Sequence, residues 1–469
     1  MTANTANAIA LRQATLRPVL FTMCLGVLMA QVDTSVVNLA LTQIGAALHA
    51  PVNVLQWVVD AYNLVYASLL LTSGTLSDLY GRRLIFALGV GIFTIGSLIC
   101  GLAPSDAILI AGRAVTGLGA ALLLPTSLAI LAVTYTDSAE RAHAIGIWAS
   151  CYGLALAIGP TLGGLLVQAA GWRSIFLMIV PVSLLALVMT LKALPESKNP
   201  EGRHLDLPGQ LLAIVAFSTL TIAAIEGPQW RAPTIALCLG VSLLAAISFA
   251  AVESRTEGAL LPLAILRRRG LCVAMAVASL MTFGMYGMLF LVPLYLQQQH
   301  GASVVAAGLD LLSLSLIYVL VSQYSGRLAT RFGPRILMTA GMALLGAGLF
   351  FLSAVSVETS LAIIEANLAI LGIGLGLNTG PVNSVAVASV PAARSGTASG
   401  LLNTARMIGA TLGVAILGAV FAIHAAGGSS AGFSAGMRMA FRIGGAGESL
   451  GALVALCFIR RDSLVRPGE

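Results

Sequence analysis

The sequence predicts an all-α integral membrane protein of two six-helix bundles with two additional helices between them, fourteen transmembrane helices in all. Three observations predict this: an extreme composition, fourteen apolar runs, and a short motif that occurs twice. Of 469 residues, 58% are hydrophobic and only 9% charged, with a mean hydropathy of +0.96. Soluble domains carry roughly 25% charge. A chain this apolar and this poor in charge has a lipid bilayer as its main partner.

The apolar runs fall near 18–44, 54–73, 84–103, 107–133, 143–168, 173–194, 207–226, 233–252, 271–296, 304–325, 336–356, 361–389, 397–423 and 438–459. Runs of about 20 residues cross a hydrocarbon core of roughly 30 Å at 1.5 Å per residue. They are predicted as helices, because helices and closed barrels alone satisfy their backbone in lipid. The alternating ten-residue strands of a barrel are missing from the sequence. The polar stretch 1–16 precedes a run too long for a signal-peptide core, so the first run is read as an uncleaved span.

The duplicated motif divides the chain. Gly74-Thr-Leu-Ser-Asp-Leu-Tyr-Gly81-Arg-Arg83 returns about 250 residues later as Gly326-Arg-Leu-Ala-Thr-Arg-Phe-Gly333-Pro-Arg335. Gly74, Leu76, Gly81 and Arg83 match Gly326, Leu328, Gly333 and Arg335 in spacing, and each copy lies between two spans. Internal repeats of this kind are how many transporter folds are built. The division predicted is an N-terminal six-helix bundle (1–196), two extra spans with their linkers (197–269), and a C-terminal six-helix bundle (270–469).

Orientation follows from the basic residues. Arg12, Arg17, Arg82, Arg83, Arg203, Arg267, Arg268, Arg269, Arg335, Arg394, Arg460 and Arg461 fall on one side, and Arg173, Arg231 and Arg438 on the other. The positive-inside rule places the first set, and both termini, in the cytoplasm. The net charge of +7 is therefore a topology signal. No soluble basic domain exists to carry a nucleic-acid partner. The six cysteines lie singly in apolar stretches and read as small buried hydrophobes, with no metal-ligand spacing. Gly372 to Gly380 lacks the GK[ST] of a phosphate-binding loop, so no nucleotide is implied. No catalytic constellation and no cofactor are predicted.

Four elements together resemble the major facilitator superfamily, and within it the 14-span drug–proton antiporter branch. They are the repeated motif, Asp33-Thr-Ser-Val-Val-Asn38 in span 1, Arg113-Ala-Val-Thr-Gly117-Leu-Gly119 in span 4, and Gly153-Leu-Ala-Leu-Ala-Ile-Gly159-Pro160-Thr-Leu-Gly163-Gly164 in span 5. The last is similar to the family's antiporter motif. The resemblance implies a major facilitator fold in the cytoplasmic (inner) membrane. It implies export of a small amphipathic substrate, a cationic drug or an antibiotic, in exchange for protons by alternating access, with no stated need for an oligomer. A proton-coupled transporter of one small metabolite is the alternative, and a non-transporting membrane protein the third class. Two departures stand out: Thr330 replaces the acid Asp78 in the second copy, and Gly308-Leu-Asp310-Leu-Leu-Ser313 has Ser313 where the family stretch ends in proline.

Residue by residue, Asp33 is the first candidate for proton coupling. An ionisable group in a spanning helix costs about 2.5–3.5 kcal/mol on insertion scales and is by default a functional candidate. Its depth in span 1 is close to that of Arg113 in span 4, so the two are predicted to be coupled. The alternatives are a packing hydrogen bond from Asp33 to Asn38 and an arginine held by carbonyls alone. Gly74, Asp78, Gly81, Arg82 and Arg83 are expected to form a cytoplasmic gate, with glycines for close approach and Asp78 set toward a helix N-terminus in the other half. A plain positive-inside anchor is the competing reading. Gly153, Gly159, Pro160, Gly163 and Gly164 predict a close helix contact. Asp60, Asp310, Asn403, Arg406 and Glu448 are candidates for a second proton or substrate site. Arg406 is expected to lean on Asn403 one turn away, and Glu448 to pair with Arg442. Glu226-Gly-Pro-Gln-Trp230 is expected to be an interfacial turn anchored by Trp230.

Overall fold

The computed structural model describes residues 3–198, 205–256, 263–356, 358–391, 394–425 and 429–459. Arg203, Arg460 and Arg461 of the basic set, and part of each linker around the extra spans (199–204 and 257–262), lie outside the described residues, as does the side chain of Arg12. The helices in chain order are α1 (Ala3–Leu48), α2 (Val52–Tyr80), α3 (Arg82–Leu102), α4 (Asp106–Thr134), α5 (Ser138–Ala170), α6 (Ser174–Leu177), α7 (Ile179–Ala193), α8 (Leu207–Glu226) and α9 (Ala232–Glu253). They continue as α10 (Leu263–Leu266), α11 (Arg269–Gln298), α12 (Val304–Asp310), α13 (Leu312–Phe332), α14 (Pro334–Leu352), α15 (Leu361–Ala388), α16 (Ser395–Ala425) and α17 (Ser430–Phe458). Among the described residues, fourteen stretches are long and apolar enough to cross a membrane, α6–α7 and α12–α13 each making one. Among the described residues there is no strand.

Several helices outrun their apolar runs. The Gly74–Arg83 motif is helical to Tyr80, and its counterpart to Phe332. The turn is one residue in each case, Gly81 at φ 116° and Gly333 at φ 84°, and only glycine adopts that backbone without strain. Gly81 and Gly333 therefore make the tight turn, whereas Gly74 lies within α2. A Cβ at Gly74 or Gly326 would meet nothing within 4 Å. The last span starts at Ser430, eight residues before the apolar run, because Ser429 caps it by accepting from the Gly432 N–H at 3.0 Å. Arg438 is thus an exposed mid-helix residue and not an end marker.

Small residues set the packing. A Cβ at Gly117 would lie 2.5 Å from the Tyr62 carbonyl oxygen, so α4 rides directly on the α2 backbone. Gly89, Gly96 and Gly119 do the same between α3 and α4. In the second half Gly409 and Gly413 bring α16 onto the carbonyls of Ser279 and Phe283 in α11. In lipid, where no hydrophobic effect drives helices together, such close backbone contact supplies the van der Waals energy of association. The apolar outer faces stay uncovered, as on α9, where Leu237, Leu243, Leu244 and Ile247 are exposed. Of the cysteines only Cys100 is buried and Cys457 is exposed, so the expectation of six buried thiols is corrected. A thiol facing lipid needs no protein burial.

The first six spans and the last six meet along α2–α16, α5–α12 and α1–α11. Gln56 Nε2 donates to the Val414 and Ala415 carbonyls at 3.0 and 2.8 Å, and Gln297 Nε2 to the Leu39 carbonyl at 3.1 Å. These bonds lie toward the end opposite the basic loops. The extra span α8 is clasped to α2 at both ends. Gln210 donates to the Ser68 carbonyl (2.6 Å) and accepts from Thr72, while the Glu226 carboxylate accepts from Trp57 Nε1 (2.7 Å) and Asn53 Nδ2 (3.2 Å). Glu226 ties that turn to α2 through two donors, and Trp230 beside it is exposed, as an aromatic at a membrane interface is.

Candidate functional site

Three helices converge on one ion pair. Arg113 Nη1 on α4 donates to Asp33 Oδ2 on α1 at 2.5 Å, and its Nε to the Val58 carbonyl on α2 at 2.9 Å. Both residues are 1% exposed. The guanidinium also lies 4.7 Å from the Tyr62 ring centroid and 5.9 Å from that of Phe176. Cation–π contacts of this kind strengthen where water is excluded. The glycine contact at Gly117 places Arg113, one turn earlier on α4, within reach of Val58. Asp33 makes no bond to Asn38; its Oδ1 is without a hydrogen-bond partner. In a charge pair removed from water, removal of either charge leaves the other uncompensated.

On the neighbouring face of α1, from two residues before Asp33 to five after it, polar side chains turn toward the interface of the halves. Gln31, Thr34, Ser35 and Asn38 line a cavity whose other wall is Leu156 of α5 and Met285, Tyr286 and Leu289 of α11. Their i, i+3, i+4, i+7 spacing is one helical face. The Asn38 Nδ2 bonds the Thr34 carbonyl at 3.4 Å, and its Oδ1 has no partner.

The glycine motif of α5 touches both halves. A Cβ at Gly159 would collide with the Ser35 hydroxyl and one at Gly163 with Val36, both on α1. A Cβ at Gly164 would lie 2.9 Å from the Val304 carbonyl, and one at Gly308 2.5 Å from the Pro160 carbonyl. A Cβ at Gly153 would lie 3.1 Å from Val319 of α13. So the motif packs α5 on α1 within its own half and on α12–α13 across the interface.

At the basic loop, Asp78 pairs with Arg82 at 2.8 Å on its own half. A second carboxylate, Glu196, exposed after α7, stands at the N-terminus of α3. It accepts from the Arg83 and Leu84 N–H groups at 3.1 and 3.2 Å, where the helix dipole favours negative charge. Arg83 itself donates to the Leu191 carbonyl at 2.7 Å.

The remaining acids are scattered. Asp60 is fully buried on the α2 face that carries Gln56, with Asn63 Nδ2 3.5 Å from its Oδ1. Asp310, 5% exposed, stands near Glu365 of α15. Arg406 Nη1 donates to Asn403 Oδ1 at 3.2 Å. Glu448 does not pair with Arg442, which is exposed on another face of α17. The Glu448 carboxyl is 0% exposed and packs on Gly284 of α11, whose backbone N–H acts on it, with no side-chain partner on either oxygen. Six residues at about 100° each leave the two side chains about 120° apart around the helix. Sequence reasoning misses Gln56, Gln297 and Glu196, and it places Glu226 in a turn without its bonds to α2. Gln56 alone carries a signal, an amide in an apolar run one turn before Asp60. Among the described residues no cluster of metal-ligating side chains occurs.

Comparison with known proteins places this arrangement in a family. Residues 23–414 match the family model described as Major Facilitator Superfamily. The chain is 40% identical over 400 residues to the multidrug resistance protein Stp of Mycobacterium tuberculosis, covering 85% of this chain and 74% of that one. It is 34% identical over 446 residues to the methylenomycin A resistance protein of Bacillus subtilis, covering 94% of both. Among solved structures it is similar to a bacterial homolog of the human lysosomal transporter Spinster, inward-facing and unoccupied, with TM-score 0.67 and 17% identity over 94% of this chain and 95% of that one.

Proposed function

The chain belongs to the Major Facilitator Superfamily, and on that premise we propose that it is a drug–proton antiporter exporting a small amphipathic drug or antibiotic. Relatives named for multidrug and antibiotic resistance support the export reading. The observation that carries the proton coupling is the enclosed Asp33–Arg113 pair, one residue from a cavity at the junction of the halves. A proton on Asp33 cancels its charge, frees the guanidinium and changes the relative energy of two arrangements of the halves. The pair thus holds one arrangement while charged and releases it when protonated.

In this reading residues 1–196 and 270–469 rock about the cavity, and 197–269 carries the extra helix pair that α8 ties to α2. The basic loops face the cytoplasm, with both termini, in the inner membrane of a bacterium-like cell. The Gly74–Arg83 segment acts as the gate: the open space beside Gly74 is filled in the other arrangement. Asp60, Asp310 and Glu448 are reserve proton sites. The driving force is large, since one charge crossing 100 mV is worth about 2.3 kcal/mol.

The test uses everted membrane vesicles with an imposed acid interior, followed by a pH-sensitive dye during addition of a panel of biocides, dyes and antibiotics. Export by antiport predicts proton release on adding a substrate. Proton movement in the same direction as a metabolite instead favours the metabolite transporter.

A further inference from the structure

From the way the two side seams between the halves close, we infer that the amphipathic substrate enters sideways, from the cytoplasmic leaflet of the bilayer between α5 and α13, and that α8 bars the matching route between α2 and α16. This rests on the export reading above and adds where its substrate is collected: the molecule is one that dissolves in lipid.

The α2–α16 seam is shut over most of its length. Gln56 bonds the Val414 and Ala415 carbonyls toward the outer end, and toward the cytoplasm a Cβ at Gly400 would lie 3.2 Å from Leu71. At 1.5 Å per residue that contact stands about 8 Å from the start of α16 and about 13 Å from the end of α2. Behind it runs α8, which touches both α2 and α16. Gln210 bonds the Ser68 carbonyl and Thr72, on either side of Leu71, so α8 is fastened at the height where the seam would part. Among the described residues, the hydrogen bonds from α8 to either half all go to α2. The cover is therefore carried by the first half and rests on α16.

The α5–α13 seam has no such cover. Its outer part is tight, from Gly164 on the Val304 carbonyl down to Gly153 against Val319. Gly153 and Val319 stand about 20 Å from the cytoplasmic ends of their helices, more than the about 15 Å of one leaflet's hydrocarbon. One and two turns nearer the cytoplasm on the same faces, Ser150 and Gln323 are exposed, and a Cβ at Gly146 or Gly326 would meet nothing within 4 Å. Each helix is held here by its own half: Trp148 of α5 donates to the Ser127 hydroxyl of α4 at 2.9 Å, and Ser325 of α13 packs on Gly380 of α15. Among the described residues no hydrogen bond joins α5 to α13. Ser150 and Gln323 lie beside the exposed Ile147 and Leu320, so a solute leaving lipid finds polar and apolar partners together.

Two measurements test this. Ser150→Cys, Gln323→Cys and Leu71→Cys, each in a cysteine-free full-length protein in proteoliposomes, carry a bimane fluorophore. Doxyl-labelled phosphatidylcholine, which quenches on contact, should quench at the first two sites severalfold more than at the third. Adding Gln210→Ala with Thr72→Val unfastens α8 and should raise quenching at Leu71→Cys severalfold, leaving the other two unchanged. Equal quenching at all three sites, or no rise on unfastening, overturns the inference. In the everted-vesicle assay, Gly146→Trp narrows the opening and should raise the half-saturating concentration of a substrate severalfold at an unchanged maximal rate. An unchanged half-saturating concentration overturns the entrance, and a fall in maximal rate alone would assign Gly146 to gate closure instead. Quenching needs no transported compound. If the vesicles reveal none, the export reading fails while the seams are still read; if export holds and quenching is equal, the entrance alone falls.

Discussion

Arg113 and Asp33 form a 2.5 Å ion pair in which both residues are 1% exposed and the second carboxylate oxygen has no partner. The pair is complete enough to hold two helices together and incomplete enough to be undone by one proton. Arg113→Gln should therefore destabilise the protein by about 3–5 kcal/mol, because it strands a buried carboxylate. The double variant Asp33→Asn with Arg113→Gln should recover most of that loss. Thermal unfolding in detergent across the single variants, the double variant and the wild type checks the cycle; additive losses would mean the two do not act as a pair.

The two glycines of each repeated loop should respond in opposite ways. Gly81→Ala and Gly333→Ala place a Cβ on a backbone at φ 116° and 84° and should lower stability by about 1–3 kcal/mol. Gly74→Ala meets open space within a helix, so stability should hold or rise by up to about 1 kcal/mol. Transport by Gly74→Leu should nonetheless fall severalfold, since the proposed gate needs that space in its other arrangement. Unchanged transport would leave the segment as a topological anchor.

Gln56 joins the halves through two hydrogen bonds to α16. At about 0.5–1.5 kcal/mol each, Gln56→Ala should favour opening at that end by about 1–3 kcal/mol. A cysteine-free background carrying Thr34→Cys reports it: an impermeant maleimide added from that face should label the cavity faster. No change in rate would show that the bonds do not control opening.

Glu448 packs on Gly284 with no cation opposite. Glu448→Gln should fold as well as wild type. Gly284→Ala drives a methyl group into the carboxyl and should cost about 1–3 kcal/mol, relieved by adding Glu448→Ala. Unfolding midpoints decide; a loss of stability in Glu448→Gln would point to a cation partner.

The spans are legible in the sequence because hydropathy in a bilayer is nearly a direct readout of burial in lipid. The helix ends are not. Polar stretches such as Ser77–Tyr80 and Ser430–Met437 remain helical after the hydropathy falls, held by backbone bonds and, in the second case, by the Ser429 cap. Asp33 and Arg113 stand out because a charge in an apolar span demands a partner, and their depths agree. Gln56 with the α16 carbonyls, Glu196 at the start of α3, and Glu226 with Trp57 leave no such trace. Each joins residues more than one hundred positions apart, and one partner is backbone or a side chain unremarkable in its own span. Glu448 shows the converse: an arginine nearby in sequence suggests a partner that helical geometry sets on another face.

The most direct measurement compares Asp33→Asn with wild type in proteoliposomes loaded with a substrate found in the vesicle assay. Two modes are read: accumulation driven by a proton gradient, and exchange of labelled for unlabelled substrate with no gradient. Coupling through the Asp33–Arg113 pair predicts that the variant loses gradient-driven accumulation and keeps exchange, since the cavity is intact and only the proton site is gone. Gradient-driven accumulation equal to wild type would contradict it and remove proton coupling from that pair.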